Sequence, residues 1–175
     1  TFRGHKGEIV DLSINSTNLM LATGSNDTTI CVWLLEPGDR LGLQMCVLTR
    51  HPQGITNVAF SPTHPNLLHT ASSDGLALMW NITGEPKPQC LEMSTENPAV
   101  LIGVFHSSGK YLATGHARSW PREGSMEREQ RANAALASGA NVAPPAISSQ
   151  VCVWTVTPVG HGIGVRVEKW RVVDV

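Results

Sequence analysis

What lies between His5 and Trp33 is repeated in substance between His51 and Trp80, and this repetition constrains the fold more than any other feature of the chain. The first copy reads GHKGEIVDLSINSTNLMLATGSNDTTICVW, from Gly4 to Trp33. The second reads RHPQGITNVAFSPTHPNLLHTASSDGLALMW, from Arg50 to Trp80. A third begins PAVLIGVFHSSGKYLATGHARSW at Pro98 and finishes SSQVCVW at Trp154. Ile14, Phe60 and Phe105 fall at equivalent places, about 45 residues apart, which is the length of one four-stranded blade. A unit of that size cannot bury its apolar faces alone and has to stack on its neighbours.

Each copy divides into short strands separated by turn chemistry. IVDLSIN and ITNVAFSP alternate as a half-buried strand does. LMLATGS, LLHTASS and YLATG read as second strands, and TICVW and LALMW as third strands. NDTT and SDGL between them are tight turns, made of residues that tolerate turn geometry. LGLQMCVLT and VRVEKWRVV read as outer fourth strands, and no unit carries a helical period. The expected fold is all-β: about three four-stranded antiparallel blades, over residues 4–50, 51–97 and 98–175.

These motifs resemble the WD40 repeat family. Two units carry the pattern well, as Gly4-His5, Asp27 and Trp33, and again as His51, Asp74 and Trp80. The resemblance implies a partial β-propeller in which a His, a Ser or Thr, an Asp and a Trp form a buried hydrogen-bond network. In the first unit these are His5, Thr23, Asp27 and Trp33, with Ser25 a rival for the hydroxyl. In the second they are His51, Thr70, Asp74 and Trp80. A buried imidazole, carboxylate and indole N–H each need partners, and together they satisfy one another. The third unit keeps Thr114 and Trp154, but Arg118 stands at the turn Asp and no His precedes Pro98, so a less rigid blade is expected. The Trp-Asp dipeptide is absent: Leu34, Asn81 and Thr155 follow the three tryptophans.

Trp80 and Trp154 are separated by roughly 30 residues more than the repeat allows. The surplus, residues 119–149, is rich in Ala, Gly, Pro and Ser and poor in large apolar residues, so it reads as a flexible loop between the second and third strands of the third unit. REGSMEREQRANAALA within it has the composition of a short marginal helix, and Trp120 is expected to dock on the blade. Two readings stay open: an insertion without function, or a loop for partner binding or modification.

The remaining residues point away from chemistry. His64, His69, His106, His116 and His161 have no spacing that builds a metal site and read as structural or solvated. Asp27 and Asp74 are accounted for by the turn network and are not paired as acid and base. GHGIG at Gly160–Gly164 lacks the Lys or helix start that would hold phosphate and reads as a turn. Neither a G-x-S-x-G nor an H-E-x-x-H motif is present. No enzyme activity, metal or cofactor is expected. The net charge of −1 and an aromatic content of 5% argue against direct nucleic-acid binding. No apolar run approaches the roughly 20 residues of a membrane span. Cys31, Cys46, Cys90 and Cys152 form no C-x-x-C pair; three of the four fall in strand-like runs and read as buried thiols of a reducing compartment. The chain opens on Thr1 without a signal-peptide core, so a piece of a longer, non-secreted polypeptide is expected. Three blades fall short of the four to eight of a closed propeller, so further blades or self-association are expected too.

A narrower resemblance comes from RGHKGEIVDLSIN, NLMLATGSNDTTICVW, GITNVAFSP and SSDGLALMWN, with GVFHSSGKYLATG ahead of an interrupted third strand. In this order they look like the amino-terminal propeller of the bromodomain-and-WD-repeat family. That resemblance implies a chromatin-associated nuclear regulator of transcription, cell shape and cytoskeletal organisation, with cytoplasmic placement the alternative. Some members serve as substrate receptors of cullin-RING ubiquitin ligases; the Trp-Asp-x-Arg such receptors often carry is missing from all three blades. A generic WD40 scaffold of another multiprotein complex is the remaining alternative. In all three cases the partners are proteins, expected at loops carrying Lys6, Glu8, Gln53 and Asn97.

Overall fold

A computed structural model describes residues 2–83, 88–93, 100–116, 150–159 and 164–174. They form three four-stranded antiparallel sheets and no helix. Blade one is β1 (Ile9–Ile14), β2 (Met20–Ser25), β3 (Ile30–Leu34) and β4 (Gln44–Leu48), in that spatial order. Blade two is β5 (Ile55–Phe60), β6 (Leu67–Ser72), β7 (Ala77–Asn81) and β8 (Gln89–Met93). Blade three is β9 (Val100–Phe105), β10 (Tyr111–His116), β11 (Gln150–Val159) and β12 (Gly164–Asp174). The architecture is a partial WD40-type propeller.

The register is the same in every blade. Thr23 stands between Leu12 and Cys31, Thr70 between Val58 and Leu78, and Thr114 between Gly103 and Cys152. Each innermost strand also carries an irregularity at one place, between Ile9 and Asp11, between Ile55 and Asn57, and where His116 pairs with Val100. A one-residue slip there turns the start of the strand and sharpens its twist.

The core lies between sheets. Blade one turns Met20, Ala22, Ile30, Val32 and Leu48 forward, toward blade two, which answers with Ile55, Val58, Phe60, Leu68, Leu78 and Trp80 on its backward face. Blade two turns Leu67, Ala71, Ala77, Met79 and Met93 forward onto Val100, Leu112, Cys152, Trp154 and Val156 of blade three. Both faces of β6 are therefore buried, and all six of its residues are inaccessible. Burying one such aliphatic side chain is worth about 1.5–3 kcal/mol, so the inter-blade seams carry most of the driving force.

The outer strands differ from expectation in detail. Leu41 and Gly42 belong to a turn and not to the fourth strand: the Gly42 amide donates to the Leu34 carbonyl at 2.8 Å, with Gly42 at φ +83°. All four cysteines, Cys90 included, lie on strands, and all are free thiols. Arg118, Trp120, Asn97, His161, residues 119–149 with their expected helix, and most of the GHGIG turn lie outside the described residues.

Candidate functional site

The motif residues meet inside each blade. In blade two the Trp80 indole N–H donates to Thr70 Oγ1 at 2.8 Å. His51 Nε2 lies 2.8 Å from the same hydroxyl, and His51 Nδ1 lies 3.3 Å from Asp74 Oδ2. One proton arrangement satisfies every atom: indole to hydroxyl, hydroxyl to Nε2, Nδ1–H to carboxylate. Asp74 Oδ1 also accepts the Leu76 amide at 2.6 Å, which pins the turn that carries it. Burial lowers the His51 pKa, against the pull of Asp74 in the other direction, so the imidazole is neutral.

Blade one builds the same network with one more member. Trp33 donates to Thr23 Oγ1 at 2.9 Å, and His5 Nε2 lies 2.8 Å from that oxygen. The hydroxyl in question is thus that of Thr23; Ser25 Oγ instead accepts the Asp27 amide at 3.1 Å. His5 Nδ1 faces Asp27 at 3.2 Å and Thr29 Oγ1 at 3.1 Å. Burial pushes the Asp27 pKa up, but the Thr29 hydroxyl, the Lys6 and Thr29 amides and His5 outweigh it and hold the carboxyl well below the usual range.

Blade three departs in a way the sequence did not disclose. Trp154 donates to Thr114 at 2.8 Å, and the imidazole beside that hydroxyl is His116, with Nε2 at 2.8 Å. His116 stands two residues beyond Thr114 on β10, the register of Ser25 and Ser72 in the other blades. It is buried, its Nδ1 has no partner among the described residues, and burial lowers its pKa, with Lys169 adding to the effect.

The network anchors one end of the blades. The Asn26 amide donates to the Glu8 carbonyl at 3.0 Å, and the Ser73 amide to the Gly54 carbonyl at 3.0 Å. Gly54 of blade two lies against Asn26 of blade one, whose Oδ1 would sit 3.2 Å from a Cβ there. The Val100 amide of blade three reaches the Gly75 carbonyl of blade two at 3.3 Å. The turns and entry loops of adjacent blades thus join into one rim. Lys6, Glu8, Asn26 and Ser73 are exposed on it, and Gln53 is half-buried with its carbonyl accepting the Ser72 hydroxyl. Asn97 lies outside the described residues.

Among the described residues, no group of three or more His, Cys, Asp or Glu side chains is placed to hold a metal ion. No helix among them is long and apolar enough to cross a membrane. What the site can do chemically is present backbone edges and a few polar side chains on a fixed frame.

Comparison with known proteins agrees with this geometry. The WD40 family model (WD domain, G-beta repeat) matches residues 1–33 and 42–81, the first two blades. The chain is 28% identical to THO complex subunit 3 of Arabidopsis thaliana over 115 residues, 66% of this chain and 36% of that protein. It is 32% identical to eukaryotic translation initiation factor 3 subunit I of Meyerozyma guilliermondii over 128 residues, 66% and 35% respectively. It is 37% identical to Protein tipD of Dictyostelium discoideum over 116 residues, 66% and 18%. The chain thus spans about a third or less of these relatives, and its match to the WD40 family model lies on the first two blades.

Proposed function

We propose that this chain, whose first two blades are WD40 repeats, is a non-catalytic platform for protein–protein interaction within a multisubunit assembly. One observation carries the reading. The His, Thr, Asp and Trp side chains of the motif are hydrogen-bonded to one another inside the blades, and their effect is to hold a rim whose exposed residues belong to adjoining loops. Side chains committed in that way are unavailable for acid–base chemistry, whereas a rigid rim loses little entropy on binding. Two relatives bear names that place them in assemblies, the THO complex and translation initiation factor 3. That supports a scaffold of the general WD40 kind.

The finer reading is a chromatin-associated nuclear regulator of transcription and cell shape, and it rests on the motif order shared with the bromodomain-and-WD-repeat family. A substrate receptor of a cullin-RING ligase ranks below it, because Leu34, Asn81 and Thr155 stand where the Asp of a Trp-Asp-x-Arg would be. Affinity purification of the wild-type chain beside Lys6→Glu tests the platform. Lys6 is exposed and only its amide takes part in the network. The expected outcome is a defined set of proteins held by the wild type and lost from the variant, whose thermal unfolding is unchanged. Identical sets from both would remove the rim as the binding surface. Chromatin proteins in the set would support the finer reading, and subunits of another assembly, such as a THO complex or translation initiation factor 3, the generic one.

A further inference from the structure

The inner strands of the three blades belong to separate sheets, and side chains tie them to one another. On β1, Asp11 Oδ1 accepts the amide of its neighbour Leu12 at 2.8 Å. Asp11 Oδ2 accepts the Val58 amide of β5 at 2.9 Å, and Asn57 Nδ2 donates to the same oxygen at 2.8 Å. Asn57 Oδ1 in turn accepts the Gly103 amide of β9 at 2.9 Å. We infer that these groups form a relay that couples the two seams. The Asp11 carboxylate of blade one fixes the orientation of Asn57, and through it the hold of blade two on the inner strand of blade three.

The chemistry of the groups leaves one arrangement. A carboxylate only accepts, a backbone amide only donates, and a side-chain amide does one at each end. Facing Asp11, Asn57 has to present its NH2, and its oxygen is then the end that meets Gly103. The reverse orientation sets oxygen against carboxylate and NH2 against the Gly103 N–H, two repulsive contacts in place of two bonds. The register makes this a feature of the fold. Asp11 and Asn57 hold equivalent positions, opposite Gly24 and Ala71, and Val58 and Gly103 hold the next. Ile102 stands at that position of β9 and has no oxygen in its side chain, so the relay ends at the Gly103 amide.

The second seam has little else of this kind to rely on. From β5 to β1 a further bond runs from the Phe60 amide to Ser13 Oγ at 3.0 Å. On β5 Ala59 takes the register of Ser13 and offers the Phe105 amide no hydroxyl. The packing beside the relay is exchanged as well. Ala22 accompanies Val58 at the first seam. At the second, His69 holds the register of Ala22 and Gly103 that of Val58, so close that a Cβ on Gly103 would lie 2.6 Å from His69 Nδ1. Neither nitrogen of His69 has a hydrogen-bond partner among the described residues. Among those residues the side-chain hydrogen bond between β5 and β9 is therefore the one that Asn57 makes, and Asp11 controls it.

Amide hydrogen exchange of the 175-residue chain, read by NMR, tests the relay. Asp11→Leu removes the acceptor and keeps a side chain of similar size. The Gly103 amide should then exchange about tenfold faster relative to the amides of β6, which report opening of the whole stack. Asp11→Asn retains an oxygen for Asn57 and Val58 and should keep most of the protection at Gly103. Faster exchange at Val58 with Gly103 unchanged overturns the inference, because Asn57 would then hold its orientation unaided. Equal acceleration in Asp11→Asn overturns it too, since the effect would then come from lost charge and not from a lost acceptor. Should Asp11→Leu fail to fold, the wild type decides. A scalar coupling across the hydrogen bond, from the Gly103 amide nitrogen to the Asn57 side-chain carbonyl carbon, is expected, and its absence removes the relay.

Discussion

His69 is the residue on which the seam between blades two and three turns. Its ring is fully buried and neither nitrogen has a hydrogen-bond partner among the described residues. Such a group is tolerated only because it fills a volume, and Gly103 leaves that volume open. Gly103→Ala places a methyl group against the ring and should cost about 1–3 kcal/mol in urea unfolding, the usual range for overpacking. His69→Ala in the same chain should recover most of that loss, giving a large coupling energy in a double-mutant cycle; additive losses would separate the two residues. The same burial sets a pH dependence. Desolvation, with His51 adding to it, brings the His69 pKa down from 6.5 to about 3. Between those values the unfolded chain holds a proton that the folded chain refuses, so stability is whole above pH 6.5 and declines as pH falls toward 3. Replacing His69 by Ala should reduce the pH slope of unfolding in that interval by about one proton. His51 and His116 are lowered too and add to the slope in both proteins, which is why the comparison is between variants.

At the scale of the hairpin, blades one and two solve one turn with different residues. Asp27 and Asp74 precede positions of positive φ, filled by Thr28 at +74° and Gly75 at +90°. A β-branched residue is strained there and glycine is not. Thr28→Gly should raise thermal stability by about 0.5–1 kcal/mol, the relieved strain outweighing the added freedom of the unfolded chain; an unchanged or lower midpoint would mean that Thr28 is not strained. This turn also marks what the sequence could and could not tell. The strands were legible because period-two alternation and repeated spacing are local signals. β8 was not named, because Gln89–Met93 carries only Cys90, Leu91 and Met93 as apolar residues and takes its place from pairing with β7. His116 reads from the sequence as structural or solvated with no partner assigned, and only the folded chain reveals that an imidazole two residues along the same strand reaches Thr114. The exchange of Ala22 and Val58 for His69 and Gly103 was equally hidden: the two members of each pair stand about 35 residues apart and meet only when blades stack.

For the molecule as a whole, the seams that hold one blade to the next decide which residues are buried. Within the chain, an inner strand covered on both sides buries Ile55 and Val58 almost completely, while the same positions on β1, Ile9 and Leu12, stay 57% and 61% exposed. Ile55→Ala should therefore cost about 2–5 kcal/mol in urea unfolding, the usual loss for a buried aliphatic side chain, whereas Ile9→Ala at the same register should cost about 0.5 kcal/mol or less. Equal losses in the two variants would mean that stacking between blades does not set the stability of an inner strand.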